Sequence, residues 1–229
     1  AGALAAGLMG IVIGLPTLRL RGDYLAIATL GFGEIVRGVL INIDYVGGAA
    51  GLIGIPQYCN WTWLFIWTVV TVYVIKNFVN SSHGRACVAI REDEIAAEAM
   101  GINTTKYKVI SFSMGAFFAG VAGAIYAHYF FLIQPGTFSF LKSFDALLIV
   151  VFGGLGSLTG SILAAVFVTA LTAFLQDLAL FRMVIYASLL VAIMIFRPQG
   201  LMGNKEATFK MFSRKGGADH GGTEGKAAL

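Results

Sequence analysis

Charged side chains are scarce in this sequence, and their scarcity excludes an ordinary water-soluble fold. Of the 229 residues, 12% are charged and 58% are hydrophobic, and the mean hydropathy is +0.81. A typical soluble domain carries about 25% charged and about 45–50% apolar residues. The chain is long enough for several membrane spans of about 20 apolar residues each. We therefore predict an all-α fold, that of a polytopic α-helical integral membrane protein.

Cysteine and histidine are also scarce, and the sequence lacks the common catalytic motifs. Its two cysteines, Cys59 and Cys87, lie on opposite sides of a predicted span, so they cannot pair and suggest no metal site. No HExxH motif or nucleophile–base pair lies on a span, which argues against an intramembrane hydrolase. The nearest approach to a phosphate-binding loop, Gly225-Lys226, is followed by Ala227 and does not fit the motif. We predict a non-catalytic chain that binds no cofactor and no metal.

Two long apolar runs predict membrane-spanning helices, Trp61 to Val79 and Val109 to Ile133. The first has aromatic residues at its front end, as expected at a membrane interface. In the second, Gly115, Ala119 and Gly123 recur at four-residue spacing. Small residues at this spacing form a helix face on which another helix packs closely.

Other apolar runs are interrupted, which favours broken helices. Glycines and charges interrupt the run Tyr24 to Ile43, and the segment GGLGSLTG at 153–160 interrupts the run after Phe144. Broken helices within a membrane occur where protein or a water-filled cavity surrounds them, so they indicate a translocation pathway. The segments DYLAIATLGFG (23–33) and DALLIVVFGGL (145–155) also share Asp, Leu, Ile and Gly at matching places, which suggests an inverted repeat.

Lys and Arg residues near the span ends predict the orientation. They are concentrated in the loop 80–108 and in the tail after Phe196, so both should be cytoplasmic, with 44–60 and 134–143 outside. The net charge of +4 then reflects these segments, and nucleic-acid binding is an unnecessary explanation.

The predicted domain organisation follows from this orientation. Residues 1–202 form a multi-pass transmembrane domain, and residues 203–229 form a disordered, basic cytoplasmic tail. The sequence begins at Ala1 inside an apolar run, so we expect the transmembrane domain to be N-terminally incomplete.

Within the charged loop, Arg91 to Met100 predicts a short helix, and Gly101 stands where a C-terminal cap belongs. A helix of about ten residues is marginally stable alone in water, so its apolar face should be covered. The protein's own helix ends and a soluble partner are both possible covers. The apolar face comprises Ile95, Ala96, Ala99 and Met100, opposite Glu92, Glu94 and Glu98.

Five blocks of sequence, in order along the chain, closely resemble one family of permeases. They are LRLRGDYLAIATLGFGEIVR (18–37), GRACVAIREDEIAAEAMGI (84–102), FAGVAGAIYA (118–127), IVVFGGLGSLTG (149–160) and FRPQGLMG (196–203). The chain is similar to the larger, M-type permease subunit of bacterial ABC importers for branched-chain amino acids.

The resemblance implies a bacterial inner-membrane protein, surrounded by lipid, that forms a heterodimer with a second permease subunit. It also implies two cytosolic ATP-binding subunits, which hold ATP and Mg, and a periplasmic or surface amino-acid-binding protein that delivers Leu, Ile or Val. Related permeases carry urea, amides or aromatic acids, and no residue here selects among these substrates. The loop that docks on the ATP-binding subunits would comprise Gly84, Arg85, Arg91, Glu92, Asp93, Glu94, Ala96, Ala97, Glu98 and Gly101.

Two groups of residues are candidates for the substrate pathway. The first group either opens the backbone within a span or serves helix packing, and it comprises Thr29, Gly31 and Gly33. The second group lies outside the membrane and forms either an anion-facing nest of backbone N–H groups or an ordinary turn; it comprises Gly47, Gly48 and Gly51. Glu34 and Arg37, three residues apart on one helix face, form either a structural ion pair or a substrate contact. The competing function is an ion-gradient-driven secondary transporter of a small amphipathic solute, which would need an ion site and no ATPase.

Overall fold

The computed structural model describes residues 1–20 and 22–174, together with the single positions 188 and 191. It confirms the α-helical fold. The described helices are α1 (Gly2–Thr17), α2 (Asp23–Ile41), α3 (Trp61–Asn80), α4 (Ser82–Glu92), α5 (Glu94–Ala99), α6 (Thr104–Phe130), α7 (Phe140–Gly153) and α8 (Leu158–Phe174). Short 3-10 helices cover Asp44–Val46, Gly48–Ala50 and Pro135–Phe138, and a two-stranded sheet is formed by β1 (Leu52–Ile53) and β2 (Leu132–Ile133).

Helices α2, α3 and α6 are long and apolar enough to cross a membrane. Helix α3 confirms the first predicted span. Helix α6 begins at Thr104 rather than at Val109, because the Asn103 side chain accepts a hydrogen bond from Lys106 N at 3.0 Å and caps the helix there. It ends before Phe131, whose φ of +60° does not continue an α-helix.

The prediction that α2 is interrupted is wrong. The helix runs without a break from Asp23 to Ile41, through both Gly31 and Gly33. A continuous helix satisfies every internal backbone group, which a lipid environment demands, and two glycines cost only about 1 kcal/mol each relative to alanine.

The chain divides into two compact units, of which the first is Ala1–Asp145 and the second begins at Ala146. The predicted interruption at 153–160 lies within the second unit and is confirmed. Helix α7 ends at Gly153 and α8 begins at Leu158. Ser157 is buried, and its hydroxyl accepts a hydrogen bond from Gly160 N at 3.1 Å, so it caps α8.

The tightest packing in the first unit joins α1 to α6. Gly10 lies against Ala116 and Ser113, and Gly120 lies against Ala3 and Ala6. The sequence predicted close packing on the α6 face that carries Gly115 and Gly123. That face is open instead, since no atom lies within 4 Å of a Cβ added at either glycine. Helix α1 supplies many of the small residues itself, so it accepts the larger side chains of α6.

We expect Gly120→Val to separate α1 from α6. An added Cβ at this position would lie 2.6 Å from Ala6 Cβ, so the variant should lose about 1–3 kcal/mol of unfolding free energy. Gly123→Val makes the same exchange one turn later in open space and serves as the control. Thermal unfolding of the detergent-purified chain measures both; equal losses would show that the contact with α1 contributes nothing.

A small sheet connects the segments that follow α2 and α6. Strands β1 and β2 pair antiparallel, with Leu52 opposite Ile133 and Ile53 opposite Leu132. We call this end of the first unit the outer end, following the predicted orientation. The sheet holds the 3-10 helices beside the last turns of α2 and so shapes a cavity there.

Several predictions from the sequence lie beyond this description. The boundary near residue 202 and the tail 203–229 fall outside the described residues. The inverted repeat stays a prediction: Asp23 begins α2, whereas Asp145 lies inside α7.

Candidate functional site

The charged loop 80–108 contains two short helices where the sequence predicted one from Arg91 to Met100. Asp93 separates them, with φ of −155° and ψ of 112°, and its carboxylate accepts hydrogen bonds from Ile95 N at 2.9 Å and Ala96 N at 3.0 Å. A short acidic side chain at this place stabilises a new helix N-terminus. The prediction of one continuous helix is therefore wrong, since Asp93 caps α5.

The predicted cap at Gly101 is confirmed. Its φ is +81°, which favours glycine, and its N–H donates to Glu98 O at 2.9 Å. Ile102 N donates to Ala97 O at 3.0 Å. These two bonds form the Schellman arrangement, which fixes where α5 ends and how the chain turns into α6.

The start of α4 is fixed against the end of α3. Gly84 N donates to Ser81 Oγ at 3.2 Å, and the Gly84 backbone lies directly against the carbonyls of Phe78 and Val79. Any larger residue would force the two helices apart here. Arg85 donates to neighbouring groups of the same turn, and its side chain remains exposed.

One side of α5 is held to the beginning of α6 by two side-chain contacts, which we call the polar clamp. Lys108 Nζ lies 2.6 Å from Glu94 Oε1, and both side chains are largely covered, at 26% and 30% exposure. Thr104 Oγ1 donates to Glu98 Oε1 at 2.7 Å, and Thr104 is buried. Ala97 is buried on the same side. Glu94 and Glu98 therefore bind within the chain.

The opposite side of α5 is uncovered in the described part of the chain. Ile95 is 74% exposed and Met100 is 83% exposed, and Ala96 and Ala99 are also exposed. We call these four residues the α5 apolar face. The protein's own described helix ends do not cover it. Beside it, the exposed ion pair of Arg91 and Glu92 has a separation of 2.6 Å.

Cys87 lies within the loop, on α4, and its Sγ is 3.8 Å from Tyr107 O. Burial raises the pKa of the Cys87 thiol, and a backbone hydrogen bond opposes part of this rise. Because the thiolate is the reactive form, Cys87 should react slowly at neutral pH.

The two cysteines test the predicted orientation. A membrane-impermeant maleimide should label Cys59 in right-side-out vesicles and Cys87 in inside-out vesicles, with single Cys→Ser variants identifying each product. The Cys87 rate should keep rising above pH 8.5, by about tenfold per pH unit until its raised pKa is reached. Labelling of both cysteines from one side would contradict the orientation.

The pathway candidates on α2 are part of a regular helix. Thr29 Oγ1 bonds to the carbonyls of Leu25 and Ala26, both at 3.0 Å, so it does not open the backbone. Gly31 and Gly33 are helical, and no atom lies within 4 Å of a Cβ added at either. Of the two alternatives for these residues, the opening of the backbone is therefore wrong.

Glu34 and Arg37 form the ion pair that their spacing predicts. Arg37 Nε lies 2.9 Å from Glu34 Oε2, with the side chains 33% and 40% exposed. The sequence did not reveal a second contact: Glu34 Oε1 accepts a hydrogen bond from Phe140 N, the first residue of α7, at 3.1 Å. Glu34 therefore connects α2 to the start of α7.

A cavity of about 300 Å³ lies beside this pair at the outer end of the first unit. Arg37 is the charged residue in a lining that is otherwise apolar. The lining residues are Gly33, Val36, Arg37, Leu40, Val46, Leu52, Ile133, Pro135 and Phe138.

The external glycines lie in the turns next to this cavity and do not form a free anion nest. The N–H groups of Gly47, Gly48 and Gly51 donate to the carbonyls of Asp44, Ile43 and Gly47, at 3.0, 3.2 and 3.1 Å. Because these donors are used within the turn, the alternative of an ordinary turn is the correct one.

The spanning-length helices, together with the apolar surface that they expose, define a polytopic α-helical membrane protein. A family described as "Branched-chain amino acid transport system / permease component" matches residues 1–196, and the chain belongs to this family of transport permeases. The family prediction is thereby confirmed.

Named relatives agree with this membership. The high-affinity branched-chain amino acid transport system permease protein LivM of Salmonella typhimurium is 35% identical over 92% of this chain and 58% of its own length. LivM of Escherichia coli K12 is 35% identical over 96% of this chain and 59% of its own. LivH of Salmonella typhimurium is 28% identical over 78% and 58%. The chain thus spans about 58–59% of the length of the LivM relatives. No solved structure matches it.

Proposed function

We propose that this chain is a transmembrane subunit of an ABC importer in the bacterial inner membrane and forms half of a pathway for Leu, Ile and Val. The observation that carries this proposal is the loop 80–108, which is held to the membrane domain on one side and exposes an apolar face on the other. The printed names of the LivM relatives support the substrate. A LivH protein also matches the chain, which supports a homologous second permease as its heterodimer partner.

Two cytosolic ATP-binding subunits supply the energy, and one docks on the α5 apolar face. Burying Ile95 and Met100 would contribute roughly 1.5–3 kcal/mol each. The exposed Arg91 and Glu92 lie beside this face and are placed to contact the rim of such an interface. ATP and Mg are bound by these partners, and this chain supplies the docking surface.

Motion of the docked loop passes to α6 through the polar clamp. The Glu94–Lys108 pair and the Glu98–Thr104 bond join α5 to the first turns of α6. Helix α6 approaches α1 closely at Gly10 and Gly120, where an added Cβ would lie less than 3 Å from the facing helix. Since packed helices move as a body, a displacement of α5 moves both helices and alters access to the pathway.

The outer end faces the delivery side. A periplasmic or surface amino-acid-binding protein releases its ligand there, next to the 3-10 turns and the cavity. No residue of α2 or α3 is buried in the described part of the chain, and in this proposal lipid and the second permease subunit pack against these helices.

Uptake of labelled leucine into vesicles that carry the complete complex tests this function. We expect uptake that requires ATP, persists when ion gradients are collapsed, and is competed by isoleucine and valine. Competition by urea, amides or aromatic acids instead would reassign the substrate. Uptake that follows a proton or sodium gradient without ATP would establish a secondary transporter and refute the importer.

A further inference from the structure

The outer cavity combines an apolar lining with one cation. Its volume of about 300 Å³ falls at the lower end of the range of small-ligand pockets, roughly 300–1,000 Å³. Val36, Leu40 and Phe138 supply apolar surface, and Arg37 supplies the charge. An apolar pocket with a single guanidinium suits a small carboxylic acid with an aliphatic side chain.

The guanidinium of Arg37 is only partly used inside the chain. Its Nε donates to Glu34, and within the described residues its two terminal nitrogens make no hydrogen bond. The side chain is one-third exposed and is part of the cavity lining. A planar guanidinium binds a carboxylate through two parallel hydrogen bonds, which a lysine does not reproduce.

Glu34 is not a lining residue of the cavity, but it is paired with Arg37 and supplies a second charge next to it. Its carboxylate is fixed by the Phe140 N–H at 3.1 Å and by Arg37 at 2.9 Å, and the side chain is 40% exposed. An amino acid in solution carries a carboxylate and an ammonium on the same carbon atom. The Glu34–Arg37 pair presents the complementary charges side by side. Because a partly exposed ion pair contributes little net stability, a ligand competes with it at small cost.

We propose that this cavity is a low-affinity site for the transported amino acid, with its carboxylate on Arg37, its ammonium toward Glu34 and its branched side chain against Val36, Leu40 and Phe138. The proposal rests on the proposed function, which makes the ligand the importer's substrate. Low affinity suits a place of transit, since the same ligand has to leave. Of the sequence's pathway candidates, Gly33, Glu34 and Arg37 then belong to one site.

Protection of an introduced cysteine tests the site in the complete, reconstituted complex. In a background of Cys59→Ser and Cys87→Ser, Gly33→Cys places a thiol at the cavity lining, where no atom lies within 4 Å of its Cβ. Gly31→Cys is the matched control, on the same helix and equally open but outside the lining. An impermeant maleimide is added from the outer side with leucine or with leucinol, which keeps the side chain and the ammonium but lacks the carboxylate.

Leucine at roughly three times its Kd should slow labelling at position 33 about fourfold, by mass action. Leucinol should bind about tenfold more weakly, since it forms no bidentate pair with Arg37. Position 31 should be unaffected, and Arg37→Gln should abolish protection, whereas Arg37→Lys should retain part of it.

Three results would overturn the site: no labelling at position 33, equal protection by leucinol, or equal protection at position 31. ATP-dependent leucine uptake by each cysteine variant separates the two proposals. Intact uptake without protection refutes the cavity site alone. A complex that takes up no branched-chain amino acid refutes the proposed function, and the site falls with it.

Discussion

Ala99→Glu combined with Met100→Glu should abolish the association of the ATP-binding subunits with the permease complex. Both positions lie on the α5 apolar face, and Met100 is 83% exposed in this chain, so the charges are harmless until a partner covers them. Burying an unpaired carboxylate costs several kcal/mol. We therefore expect the affinity to fall by about a hundredfold or more, because each 1.4 kcal/mol is a factor of ten.

Co-purification of the ATP-binding subunits with the membrane subunits measures this effect, and ATP-dependent uptake should fall with it. Tyr45→Glu combined with Tyr58→Glu adds the same two charges at positions that are 95% and 71% exposed at the outer end. That control should leave co-purification unchanged. Retained association of the Ala99→Glu, Met100→Glu complex would exclude the α5 apolar face as the docking surface.

Lys108→Glu should uncouple ATP hydrolysis from transport. The substitution replaces a 2.6 Å attraction to Glu94 with a repulsion at two largely covered side chains, so it breaks the polar clamp. The α5 apolar face remains able to dock, but its displacement no longer reaches α6. We expect uptake per ATP hydrolysed to fall by about tenfold or more, corresponding to roughly 1.4 kcal/mol of lost coupling.

The charge exchange Glu94→Lys with Lys108→Glu restores an attractive pair and should recover much of the coupling. Lys142→Glu is the matched control, because Lys142 forms a 3.3 Å pair with Asp145 but is 62% exposed. A pair of that exposure contributes about 0–1 kcal/mol, so its reversal should change little. If the exchange variant transports no better than Lys108→Glu, the clamp does not carry the motion.

Much of the fold was predictable because it depends on local chemistry. A long apolar run predicted α3, and the glycine-rich segment 153–160 predicted the break between α7 and α8. Gly101 predicted the end of α5, because a positive φ favours glycine. These features are determined by a few adjacent residues, so the sequence alone reveals them.

The two wrong predictions, at Asp93 and in α2, concern segments whose residues favour two different backbone structures. The helix-forming residues on both sides of Asp93 favoured one continuous helix. A short acidic side chain before a run of helix formers is also typical of a helix N-terminus, and in the structure Asp93 caps the start of α5. In α2 the glycines and charges favoured interruption, but the Glu34–Arg37 pair neutralises the charges and the continuous helix keeps the backbone bonded.

The remaining site features depend on contacts between distant residues. The Glu34–Phe140 hydrogen bond joins positions 106 residues apart, and the Glu94–Lys108 pair joins α5 to α6. Periodicity places side chains on the faces of one helix and does not show which face another element meets. The cavity is likewise lined by α2 together with segments that follow α2 and α6, so its members share no common signal in the sequence.

Site-specific crosslinking from position 100 in the assembled complex tests the central claim most directly. A photoreactive residue in place of Met100 should crosslink to an ATP-binding subunit, whereas the same residue in place of Tyr45, 95% exposed at the outer end, should not. If position 100 reaches only lipid or this chain itself, the loop is not the docking element and the account of coupling is wrong.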